Sequence, residues 1–169
     1  MVQEDAAAPA IAAFVYRRHE EASPLLAEVV RQLRLRGVAL AGAIQHNEGQ
    51  GKMLLELLPL ERRMTISQPL AVAGTCKLDT YALADAAALV RQAIDAGPQL
   101  AIINKFGAQE AAGAGLCAEM AAAVLSGIPL LTAVSETVLS QWTAFTGGCD
   151  VRLAHAPEAA LAWWDGLQR

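Results

Sequence analysis

The segment "LAIINKFGAQE", residues 100–110, is an apolar run that breaks into Asn104-Lys105-Phe106-Gly107, with Glu110 three residues beyond the glycine. Apolar residues without alternation mark a strand covered on both faces, as in a parallel sheet flanked by helices. Loops and helix N-termini converge where such a strand ends, and ligands of α/β proteins bind there. Outward from this segment, strand-like and helix-like stretches alternate. "IAAFVY" (11–16) reads as a first strand, and Ser23-Pro24 as a helix N-cap with proline in the first helical position. Leu26, Val29, Val30 and Leu33 then fall at helical spacing up to Gly37, and "VALAGAIQ" (38–45) reads as the second strand.

"KMLLELL" and "RRMTISQ", joined through Pro59, Leu60 and Glu61, break the alternation and predict a β-hairpin insert ending near "AVAGTC". Asp79 caps a long predicted helix that Gly97-Pro98 stops. After the central strand, a helix is expected over about 113–126, then the strand "PLLTAV", and helices over about 136–145 and 157–167. The pattern predicts a single α/β domain over 1–169, with 1–10 as a flexible tail. Its sheet is three-layered and mainly parallel, with the strands near 11–16, 100–104 and 129–134 central and the hairpin at an edge.

Composition removes several function classes. No apolar run approaches the ~18 residues of a membrane span, although the mean hydropathy is +0.33; alanine supplies much of the excess. A net charge of −4 with no long basic run argues against a nucleic-acid partner. The first ten residues lack the basic, then apolar order of a signal peptide, and Cys76, Cys117 and Cys149 fit neither a disulfide framework nor a CxxC knuckle. A cytoplasmic protein without a bound metal is the expectation, with the cysteines as buried small residues, His46 and His155 as surface residues in turns, and the three tryptophans as helix-packing residues.

The residues from Leu100 to Val134 resemble the small P-loop nucleoside triphosphatases, in which an apolar strand ends in Asp-Glu-x-Gly and a glutamate follows three residues later. They are closer to an uncharacterised bacterial domain family found beside molybdenum-transport and nitrogenase genes, which has Asn-Arg/Lys-Phe-Gly at this point. That second resemblance extends to "GTCKLD" (74–79), "GIPLLTAV" (127–134) and "WTAFTGG" (142–148). It implies a P-loop NTPase-like fold and a setting in molybdenum metabolism.

The differences from the triphosphatases bear on chemistry. The loop "RRHEEASP" (17–24) has no GxxxxGK[ST], so neither the phosphate-wrapping backbone nor its lysine is present. Asn104 and Lys105 stand where two acids would hold Mg²⁺ and position a nucleophile. Glu110 alone remains as a candidate general base, or as an ion-pair partner for Lys105, or as a favourable charge at a helix start. The cations suggest instead a small-anion site built from Arg17, Arg18, Ser23, Asn104, Lys105 and Gly107, for an oxyanion such as molybdate or phosphate, or for a nucleotide tail. Against it stands a plainer reading, in which Asn104 caps a loop and Lys105 points to water. A binding module is thus expected ahead of a phosphohydrolase with a non-standard site, and an oligomeric scaffold, a homo-oligomer joined through a sheet edge or its alanine-rich helices, is the third alternative.

Overall fold

The computed structural model describes residues 10–17, 20–70 and 76–168. Strand β1 (Ile11–Tyr16) leads to helix α1 (Ser23–Leu35) and strand β2 (Leu40–Glu48). The hairpin β3 (Lys52–Leu57) and β4 (Arg62–Thr65) follows, then two short strands, β5 (Ser67–Pro69) and β6 (Cys76–Leu78). Helix α2 (Thr80–Asp95) returns the chain to strand β7 (Leu100–Phe106). A one-turn helix α3 (Ala108–Ala111) and helix α4 (Cys117–Leu125) precede β8 (Leu130–Ser135), and α5 (Leu139–Thr146), β9 (Asp150–Leu153) and α6 (Pro157–Leu167) complete the chain.

Seven strands form one sheet in the order β4-β3-β2-β7-β8-β1-β9. β2, β7, β8, β1 and β9 run parallel, and only the hairpin is antiparallel, at the edge beyond β2. β5 and β6 pair as a separate two-stranded ribbon, tied to the hairpin where Ile66 N–H donates to Met53 and to α2 where Asp79 N–H donates to Ile66. Helices cover both faces: Leu26, Val29, Val30 and Leu33 of α1 pack with Ala160 and Trp164 of α6 on one side, and α2, α4 and α5 pack on the other. This is the expected three-layer α/β architecture, with the hairpin at the edge and β7, β8 and β1 inside.

Local differences from the sequence reading have physical causes. Asp79 does cap α2, its carboxylate accepting from the Tyr81 and Ala82 N–H groups at 3.1 Å. Ser23 does not cap α1. The N-cap is Ala22, no side chain caps that end, and the Ser23 hydroxyl turns to the sheet to donate to the Gln45 carbonyl. A cap contributes about 1 kcal/mol. Four buried aliphatic side chains at about 1.5–3 kcal/mol each outweigh it, so packing fixes α1 and frees the serine for another task. The helix expected over 113–126 starts only at Cys117, because Gly113 and Gly115 adopt positive φ and hold a turn between α3 and α4. His46 lies within β2 rather than in a turn, with its Nε2 at 3.0 Å from Glu56 on β3. The tail 1–9, the end of the insert at 71–75, and Arg18 and His19 lie outside the described residues.

One glycine is required by strand spacing. Gly42 in β2 has φ +122°, and a β-carbon there would sit 1.9 Å from the Ile102 carbonyl oxygen of β7. Its own carbonyl accepts from Leu58 N–H at 3.1 Å, which turns the chain out of β3. Gly42→Ala must therefore push apart two central strands, a loss of about 3 kcal/mol or more. A chemical denaturation curve should show a correspondingly lower midpoint for Gly42→Ala.

Candidate functional site

Polar residues follow the apolar stretches of two adjacent parallel strands. β2 and β7 pair with Ile44 opposite Asn104, so Gln45, one step on in β2, and Asn104 come side by side at the carboxyl edge. The pairing of β7 with β8 shifts register between Ile103 and Phe106, and the Asn104–Lys105 peptide is cis. Asn104 is 2% exposed. Its Nδ2 donates to Ser23 Oγ at 2.8 Å and to the Gln45 carbonyl at 3.3 Å. Ser23 Oγ in turn donates to the same Gln45 carbonyl. The hydroxyl's one proton is thus spent, so it receives Asn104 as an acceptor, and a carbonyl can only accept. These partners fix the amide's orientation, nitrogen toward Ser23 and Gln45, and the Oδ1 is left buried with no partner among the described residues.

This knot sits between two clefts. The first, about 200 Å³, opens among the end of β1 at Tyr16, the start of α1 at Ser23 and Pro24, and Gln45, His46 and Asn47 of β2; Glu20 and Glu21 also line it. The second, about 260 Å³, lies toward the insert and α4, with an apolar lining and with Gly107 and Glu110 at its rim. Gln45, Asn104 and Lys105 belong to both.

Lys105 is half-buried, and its Nζ lies 6.0 Å from the centre of the Tyr16 ring, the outer limit of cation–π contact. No ion pair among the described residues involves it, so the anticipated Lys105–Glu110 bridge does not form. Burial first, and the negative charge of Glu110 second, hold the Tyr16 phenol above its usual range against a lowering hydrogen bond with Ser135. Tyr16 therefore stays a neutral hydroxyl at neutral pH. Burial likewise pushes up the Cys117 thiol, with Glu110 and Glu119 adding to it, which is opposite to what a nucleophilic cysteine needs.

The site residues read from sequence divide in space. Ser23, Asn104 and Lys105 converge on the polar cleft, and Gly107 lines the apolar one. Arg17 is exposed and pairs with Glu136 at 3.8 Å, a surface contact worth less than about 1 kcal/mol. Arg18 lies outside the described residues. Tyr16 and Gln45 were missed as site residues; the signal for Gln45 was present, since it follows an apolar stretch as Asn104 does. The three cysteines are free but not the buried residues expected, Cys149 being exposed and Cys76 and Cys117 half-buried, and among the described residues no three His, Cys, Asp or Glu side chains gather as metal ligands. No helix among them is long and apolar enough to cross a membrane.

Glu110 does stand at a helix start, in the first turn of α3, but it is half-buried and engaged rather than exposed. Its Oε2 accepts from Gly107 N–H at 3.0 Å and its Oε1 from Leu116 N–H at 3.1 Å, clasping the start of α3 to the start of α4. Gly115 makes room for this: a β-carbon there would lie 2.2 Å from Oε1. Glu110→Gln replaces one accepting oxygen by a donor and removes the charge. It should lower stability by about 1.5–3 kcal/mol in equilibrium unfolding, the range for hydrogen bonds to charged groups.

Comparison with known proteins adds a family. The model for a family described as "Protein of unknown function (DUF2478)" matches residues 11–163, from the first residue of β1 into α6. A relative in Bradyrhizobium diazoefficiens, the molybdenum import ATP-binding protein ModC 2, is 40% identical over 160 residues. The match covers 91% of this chain but only 18% of that protein, so the chain corresponds to a minor part of its relative. No solved structure matches. The sheet order and layers are consistent with a P-loop NTPase-like architecture. With almost all of its α/β unit matched, the chain belongs to the DUF2478 family.

Proposed function

We propose that this chain is a non-catalytic binding module for a small anion or a nucleotide, acting in molybdate handling. The observation that carries this reading is Lys105: a half-buried ammonium without an ion-pair partner among the described residues, at the end of a central strand, beside the buried amide of Asn104 and the N-terminal end of α1. A helix start favours negative charge, and a charge-assisted hydrogen bond sheltered from water contributes about 1.5–3 kcal/mol. Similarity to part of a molybdenum import ATP-binding protein supports the ligand class.

Catalysis of phosphoryl transfer is disfavoured by residue chemistry. That reaction depends on placing Mg²⁺ and fixed positive dipoles around a transferred phosphoryl group. Asn104 and Lys105 offer no carboxylate to the metal, the loop from Arg17 to Pro24 has no glycine, and both Glu110 oxygens already hold main-chain N–H groups.

Two measurements test the reading. A phosphate-release assay with magnesium and ATP should show no turnover above background; a rate near ~1 per second, lost in Glu110→Gln, would restore the enzyme alternative. Calorimetric titration with molybdate, sulfate and phosphate should show binding that weakens at least tenfold, about 1.4 kcal/mol, in Lys105→Ala. Equal binding by both proteins, or by neither, would remove Lys105 as an anion ligand.

A further inference from the structure

The two clefts on either side of Asn104 differ in chemistry and share one wall. We propose that they are halves of a single site for an amphiphilic organic anion: a carboxylate or phosphate monoester with an O–H or N–H donor near its anionic group and an apolar, preferably aromatic, body. The inference rests on the reading of this edge as an anion site and specifies which anion.

Three observations converge on it. The first is the orientation of Asn104, whose nitrogen is consumed by Ser23 and Gln45 while Oδ1 stays buried and without a partner among the described residues. A vacant acceptor calls for a donor, and a fully ionised oxyanion has none. The second is the charge around the polar cleft, where Glu20 and Glu21 stand with Lys105. Among the described residues a bare multiply charged anion meets two carboxylates for one ammonium there, whereas a ligand with its own hydrogen donor satisfies both kinds of group. The third is the other half. Met53, Leu55, Ile66, Leu78, Leu83 and Leu116 line about 260 Å³ of open apolar space that a tetrahedral oxyanion cannot use.

The origin of that lining matters. Met53 and Leu55 come from β3, Ile66 from the link between β4 and β5, and Leu78 from β6. The insert that interrupts the strand–helix alternation thus supplies most of the apolar half, while the parallel strands supply the polar half. Gln45, Asn104 and Lys105 line both, so one ligand can hold its anionic end near Lys105, its donor at the shared Asn104 wall behind which Oδ1 lies buried, and its body among the leucines.

Calorimetric titration of the full chain tests this with 3-phenyllactate, which has a carboxylate, a hydroxyl donor and a ring. Its comparators are 3-phenylpropionate without the donor, lactate without the ring, AMP as a phosphate monoester, and molybdate. The better of 3-phenyllactate and AMP should bind at least about tenfold more tightly than molybdate, and which of them wins identifies the anionic group. In the carboxylate series, removing either the hydroxyl or the ring should weaken binding at least about tenfold. Leu83→Trp, which fills the apolar cleft, should weaken the better organic ligand by as much, with circular dichroism confirming the fold; the ligand series on the unaltered protein tests the inference independently of that variant. Molybdate binding as tightly as both organic ligands would overturn the inference and leave the anion reading intact. Equal affinity for 3-phenyllactate and 3-phenylpropionate would overturn the role of Asn104 Oδ1. Binding by none of the five would overturn the inference and the anion reading together.

Discussion

The side-chain amide of Asn104 joins three elements distant in sequence: the last residues of β7, the start of α1 through Ser23, and β2 through the carbonyl of Gln45, just past its pairing with β7. Burying an amide without partners costs several kcal/mol in an apolar setting, so its two donated bonds are a condition for β7 to carry a buried polar residue at all. The same bonds align the amide, hold the first turn of α1 against the sheet and separate a polar cleft from an apolar one. Asn104 Oδ1 and Lys105 owe their positions to this knot, and the functional reading depends on both.

A second tie acts on the far side of Lys105. Glu110 clasps the first N–H groups of two short helical segments, and Gly115 leaves space for its carboxylate. A glutamate three residues after a glycine is what a catalytic base and a helix-capping residue share in sequence; hydrogen-bond partners separate them. Here both oxygens are engaged by backbone, and the residue shapes the wall of the apolar cleft instead of presenting a base to a reactant. The architecture is consistent with a P-loop NTPase-like fold, while Asn104 and Lys105 at the end of β7 are a neutral and a positive side chain, where phosphoryl transfer would need acids to hold a metal.

Much of the fold was legible because its signals are local. Mostly apolar runs marked β1, β7 and β8, the cap at Asp79 and the Gly97-Pro98 stop bounded α2, and the change to strand-like segments around Pro59 exposed the edge hairpin. The site was legible only in part. Asn104, Lys105 and Ser23 could be named from their places at element ends, but the partner of Ser23 is 22 residues away in sequence and that of Asn104 is 81 away. Propensity alone cannot distinguish a serine that caps a helix from one that bonds to a neighbouring strand; tertiary register decides it. The apolar cleft was illegible for the same reason, since its walls come from an insert, α2 and α4 that meet only in the folded chain.

The most direct test of the Asn104 knot is solvent exchange of the Asn104 side-chain amide protons by nuclear magnetic resonance, compared with the exposed Asn47. The account predicts exchange at least about tenfold slower for Asn104, as for a buried hydrogen-bonded donor, and a marked acceleration in Ser23→Ala, where one acceptor is lost. Exchange as fast as that of Asn47 in the unaltered protein, or no change in Ser23→Ala, would contradict it.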